Sequence, residues 1–112
     1  KRINLLGFSQ GASLSIYSGL KNPDRFNSVV ALSGFFPVEE ILEDIDKKAI
    51  KSLDLFMGHG RLDPVVPIHL GEHTRKGLIN IGANPNFNEY ESEHTIPNEC
   101  LKDVLEWLNK RN

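Results

Sequence analysis

The sequence has 112 residues, 39% of them hydrophobic and 25% charged, with a formal net charge of −2, which is enough for one domain and gives no electrostatic footprint for nucleic acid or an anionic membrane. No apolar run approaches the roughly 20 residues that span a bilayer, which argues against stable membrane insertion. Cys100 is the single cysteine, so an internal disulfide is excluded, a thiolate metal site is not expected, and, with no signal-like stretch at the start, a cytoplasmic setting is predicted.

Short apolar runs alternate with amphipathic stretches, the pattern of β-α units on a parallel sheet. Ile3 to Leu6, ended by Gly7, reads as a first strand. Gln10 to about Leu20 reads as a helix, closed at Asn22-Pro23 because the residue before a proline is driven out of the helical region. Ser28 to Ser33 is nearly all apolar, as in a strand covered on both faces. Val38, Ile41, Leu42 and Ile45 recur at helical spacing and predict a short helix before Lys47. Leu53 to Met57 is a third strand, ended by Gly58. Pro67 opens a helix whose buried face is Leu70, Thr74, Leu78 and Ile81, with Gly82 suited to the C-terminal cap. Asn86 to Tyr90 is a fourth strand, and Pro97 opens a last helix with Leu101, Val104, Leu105 and Leu108 on one face. The order β-α-β-α-β-α-β-α, with right-handed crossovers, lays these strands side by side in parallel. Ligands of such sheets bind beyond the carboxyl ends of the strands.

Three residues just beyond those ends carry usable chemistry. Gly7-Phe8-Ser9-Gln10-Gly11 is a Gly-x-Ser-x-Gly motif between a strand and a helix, the setting of a nucleophile elbow. Its turn is so tight that glycine is expected on both sides of the serine. Asp63 follows the third strand. An acid there can fix the tautomer of a catalytic histidine, and a loop aspartate before a proline equally suits a local turn. His94 follows the fourth strand and has the ionisation range for moving protons both ways near neutrality. Of the other histidines, His69 and His73 lie four apart on a helix without the Glu-x-x pattern of a metalloprotease, so they read as a solvated face and no metal is expected. His59 lies in the loop after the third strand, from where it could approach the site, and reads first as a structural hydrogen-bonding residue. The order Ser9…Asp63…His94, each after a different strand, is that of α/β-hydrolases.

On these motifs, together with Val30-Ala31-Leu32-Ser33-Gly34, Gly58-His59-Gly60 and Asp63-Pro64-Val65-Val66-Pro67, the chain resembles the phospholipase/carboxylesterase group of α/β-hydrolases, which includes acyl-protein thioesterases. The resemblance runs nearly the full length of the sequence. It implies one catalytic domain over residues 1–112, corresponding to the C-terminal half of the fold without its first strands and second oxyanion loop. It implies a serine carboxylesterase or thioesterase acting on a small ester or an acylated substrate without a cofactor. Ser9, Asp63 and His94 would be the triad and the Gln10 amide an oxyanion donor. Phe35 and Phe36, after the second strand, are candidates to line an acyl site or to pack beneath a loop. The apolar first strand would leave one edge unpaired, which predicts self-association. The rival expectation is a catalytically incomplete hydrolase fragment serving as an interaction or assembly module; a dienelactone hydrolase or a peptidase is a further enzymatic rival, the former disfavoured by serine rather than cysteine at position 9.

Overall fold

The computed structural model describes residues 3–111. The strands are β1 (Asn4–Phe8), β2 (Ser28–Leu32), β3 (Asp54–Gly60) and β4 (Asn86–Tyr90). They lie in the order β1-β2-β3-β4, each neighbouring pair parallel. The α-helices are α1 (Gln10–Lys21), α2 (Lys47–Ile50), α3 (Ile68–Asn80) and α4 (Asn98–Asn109). Alternating strands and helices are thus present in the order the hydrophobic patterning requires.

Strand alternation sorts the core into two layers. Val29, Ala31, Leu55 and Met57 face one way and pack with Ala12, Ile16 and Leu20 of α1, Ile50 of α2 and Leu78 of α3. Val30, Leu32 and Phe56 face the other way and pack with Tyr90 of β4 and with Cys100, Val104 and Trp107 of α4. The register pairs Leu6 with Val30 and Phe8 with Leu32, so these β1 side chains lie on the α4 side. That layer is incomplete over β1, where Leu6 is 55% exposed.

Four expectations are corrected. The glycines after β1 and β3 do not end their strands: β1 runs through Gly7 to Phe8, and β3 through Gly58 to Gly60. These glycines mark close approaches, not turns. His59 therefore lies inside β3 rather than in the loop after it. Val38 to Ile45 is not a regular α-helix but a 3₁₀ segment, Val38–Asp44, broken at Ile41, followed by the separate α2. Only Val38 of that segment is buried, and Asp46 restarts the helix by accepting from the Lys48 and Ala49 amides. On α4 the buried residues are Cys100, Val104 and Trp107, while Leu101 and Leu105 are 48% and 54% exposed. The apolar stripe of this helix is wider than the sheet surface beneath it. By contrast, Gly82 has φ +95° at the end of α3, as a left-handed cap requires.

Candidate active site

The site is built at the carboxyl rim of the sheet from three connections. The first is the β1–α1 turn. Ser9 has φ 59° and ψ −118°, a conformation that costs a non-glycine residue about 1–3 kcal/mol. It is pinned by its own amide, which donates to the Leu32 carbonyl at 2.8 Å. The Ala12 and Ser13 amides turn back to the Ser9 carbonyl at 3.0 and 3.3 Å. The Gln10 and Gly11 amides, at the very start of α1, have no preceding turn to supply acceptors, and the helix dipole favours negative charge there.

The glycines around Ser9 are not equivalent, which corrects the expectation that both are sterically required. A Cβ on Gly7 would lie 2.1 Å from the Gly11 carbonyl oxygen, whereas a Cβ on Gly11 would meet nothing within 4 Å. Gly34, on the neighbouring loop, is also needed, since its Cβ would lie 2.5 Å from the Ala12 Cβ and 3.0 Å from the Ser9 carbonyl oxygen.

The second and third connections are laced together. Beyond β3, the Arg61 amide donates to the Tyr90 carbonyl at 2.8 Å and the Leu62 amide to the Ser92 carbonyl at 3.0 Å. This is possible because residue 60 is glycine: a Cβ there would sit 2.2 Å from the Ser92 oxygen and 2.4 Å from the Glu93 oxygen. The lacing brings Asp63 beside His94. Asp63 Oδ1 accepts the Val65 and Val66 amides, each at 2.8 Å. Its Oδ2 is 2.7 Å from His94 Nδ1, and His94 Nε2 is 3.0 Å from Ser9 Oγ. A carboxylate only accepts, so His94 donates from Nδ1 and Nε2 is left to accept the Ser9 hydroxyl. Ser9, His94 and Asp63 therefore form one hydrogen-bonded chain from three strand ends.

Burial is the largest influence on the Asp63 carboxyl and raises its pKa. The hydrogen bonds from His94, Val66 and Val65, with the charge of His94, outweigh it and hold the carboxyl below the usual carboxylate range. The site thus keeps a fully enclosed Asp63 side chain ionised, next to a His94 side chain that is 18% exposed.

A model of the phospholipase/carboxylesterase family matches residues 1–112. The chain belongs to that family. It is 34% identical over 110 residues to acyl-protein thioesterase 1 of Debaryomyces hansenii, covering 96% of this chain and 47% of that protein. The solved structure of Arabidopsis thaliana SOBER1 superposes with a TM-score of 0.88 at 28% identity, over 96% of this chain and 52% of the other. Zea mays acyl-protein thioesterase 2, at 24% identity and a TM-score of 0.92, covers 98% of this chain and 56% of the other and shares the fold. The chain spans about half the length of the relatives it matches. Its architecture is the corresponding part of an α/β-hydrolase sheet.

Within this member of the phospholipase/carboxylesterase family, the remaining candidates sort by contact. The Phe36 ring packs on the core layer under α1 and lies 5.8 Å from the Tyr17 ring. The Phe35 ring is 6.1 Å from that of His73 on α3. Their backbone is clamped: Ser13 Oγ donates to the Phe35 carbonyl at 2.6 Å, and the Phe36 amide donates to Thr74 Oγ1 at 2.9 Å. His73 pairs with Glu39 at 3.0 Å, and its hydrogen bond to Glu39 lowers the Glu39 pKa. Among the described residues no cluster of three His, Cys, Asp or Glu side chains could hold a metal ion. A concavity of about 400 Å³ between the 3₁₀ segment and α3, lined by Val38, Leu42, His73 and Gly77, is separate from the Ser9–His94–Asp63 chain. No helix is long and apolar enough to cross a membrane among the described residues.

Sequence reasoning passed over Phe8, whose ring is 4.8 Å from that of His94. Its signal was parity: Phe8 shares a strand face with Leu6, away from α1. Gly60 was also missed, because a glycine after a strand reads as a terminator before it reads as a passage for another loop.

Proposed function

We propose that this chain carries the catalytic residues of a serine hydrolase that cleaves carboxylic esters or thioesters through an acyl-enzyme. The observation that carries the reading is the hydrogen-bonded chain Ser9 Oγ, His94 Nε2, His94 Nδ1, Asp63 Oδ2, at 3.0 and 2.7 Å. In the first step His94 takes the Ser9 proton as Oγ attacks the acyl carbonyl. The Gln10 amide, at the dipole-favoured start of α1, donates to the developing oxyanion. His94⁺, stabilised by the Asp63 carboxylate, then protonates the leaving alcohol or thiol. Water, deprotonated by His94, attacks the acyl-serine; collapse returns the proton to Ser9 Oγ and frees the acid.

The family's description, phospholipase/carboxylesterase, and the name of the relative acyl-protein thioesterase 1 support carboxylic esters and acyl thioesters as the substrate class, with no cofactor required by this chemistry. Hydrolysis of p-nitrophenyl acyl esters and acyl thioesters of increasing chain length tests the reading. Acid release that is lost in Ser9→Ala supports it; release that persists in Ser9→Ala overturns it.

A second reading is favoured by one observation. Leu6 is 55% exposed on the unfilled part of the α4 layer, and β1 is an edge strand. An apolar edge of this kind invites pairing, so the chain is expected to associate with another copy or with a complementary polypeptide. Light scattering reads this directly: concentration-dependent assembly supports the association, and a stable monomer contradicts it.

A further inference from the structure

His59 is 2% exposed inside β3, yet the reaction scheme does not use it. Its ring lies against α3 where residue 71 is glycine; a Cβ there would be 2.6 Å from His59 Nδ1. Nε2 is 2.7 Å from the Val66 carbonyl oxygen. A carbonyl only accepts, so the proton is on Nε2. The same nitrogen is 3.7 Å from Asp63 Oδ2, too far for a hydrogen bond, and leaves that oxygen to His94. The Val66 residue is thus held from both sides, its N–H by Asp63 Oδ1 at 2.8 Å and its C=O by His59.

We propose that His59 is a positioning residue for the hydrolysis, closing through Val66 the turn that aims the Asp63 carboxylate at His94. It touches neither Ser9 nor the reacting acyl group; it acts through Asp63. The role rests on the Ser9–His94–Asp63 reading of the site. The plain alternative is that His59 only packs β3 against α3. In that case its loss would lower stability and leave the His94–Asp63 hydrogen bond intact.

Glutamine keeps an N–H at the reach of Nε2, and leucine fills similar space without a donor. The test compares wild type, His59→Gln and His59→Leu by two measurements on the folded proteins. One is the far-downfield proton resonance of the His94 Nδ1–H···Asp63 hydrogen bond. The other is the second-order rate of Ser9 phosphonylation by a fluorophosphonate. His59→Leu is expected to move that resonance upfield and to slow labelling by about 10²-fold, the scale of an ångström's misplacement. His59→Gln is expected to restore the resonance and most of the rate. A leucine variant with the wild-type resonance, or a glutamine variant as impaired as leucine, overturns the proposal. Should His59→Leu not fold, Gly71→Ala presses on the ring from α3, and an unchanged His94 resonance there also overturns it. If Ser9 is not the nucleophile, wild type itself goes unlabelled while the resonance still responds to His59, so the two failures are distinguishable.

Discussion

The β1–α1 elbow and the turn after β3 each need a glycine for a close backbone approach, Gly7 and Gly60, but they orient their functional side chains differently. At the elbow, steric closeness does the work: Ser9 sits at positive φ, and Gly7 lets the strand and helix backbones approach where a Cβ would meet the Gly11 carbonyl at 2.1 Å. After β3 there is no backbone outlier. Hydrogen bonds do the work there, with two amides on Asp63 Oδ1, His59 on Val66, and the lacing of residues 61 and 62 to the β4 side. The difference suits the chemistry. A nucleophile must stand clear of the surface and gains from a strained, exposed turn, whereas the acid must be enclosed, oriented and still ionised.

Substitutions at the two turns test this contrast. The largest effect is expected for Gly7→Ala, because the obstruction is backbone that cannot move without opening the elbow. Its cost should exceed the about 1–3 kcal/mol typical of overpacking, read as loss of a cooperative thermal transition. Asp63→Asn leaves an acceptor for the turn but loses the charge opposite His94. Activity should fall by about 10⁴-fold, as when the acid of a serine protease is replaced by its amide, while the fold persists at neutral pH. The same variant has a pH signature. A carboxyl whose folded pKa is depressed contributes stability that is present above its unfolded value of about 3.9 and lost as pH falls through the lower folded value. Wild type should therefore lose stability below about pH 4 more steeply than Asp63→Asn, measured as Tm against pH. Thr74→Val should be milder. Thr74 is fully buried and accepts the Phe36 amide, and leaving that amide unpaired costs about 1–3 kcal/mol, read by denaturant unfolding. The smallest effect is expected for Gly11→Ala, with open space around the new methyl and a gain of at most about 1 kcal/mol from helix propensity. A collapse of stability there equal to that of Gly7→Ala would remove the asymmetry of the elbow.

The strand and helix order was legible because each strand core, such as Val29 to Leu32, is a short apolar run bounded by turn residues. Ser9 was legible for a different reason: a strained turn leaves a mark in residue type. The pairing of Asp63 with His94 was legible only as chain order. What brings them together is the Arg61 and Leu62 amides bonding across to the β4 side; its one mark in the sequence is Gly60, and a glycine after a strand reads equally as a terminator. The sequence marks His59 as a hydrogen-bonding residue but places it in a loop, because Gly58 after an apolar run reads as the end of β3. In fact Gly58 makes room for Leu32 and Cys100, whose side-chain atoms would lie 2.9 and 3.1 Å from a Cβ. The buried face of α4 is not legible in the sequence, because Leu101 and Leu105 are as apolar as Val104. Periodicity cannot tell which side of a broad stripe meets a sheet, and here Cys100 and Trp107 meet it.

The proposed hydrolysis turns on His94 activating the Ser9 hydroxyl. Its most direct measurement is mass-spectrometric mapping of fluorophosphonate labelling in wild type and in His94→Ala. The expected result is one adduct, on the peptide containing Ser9, that is lost from the folded His94→Ala protein. Equal labelling of both proteins, or an adduct on another residue, would show that His94 does not activate Ser9.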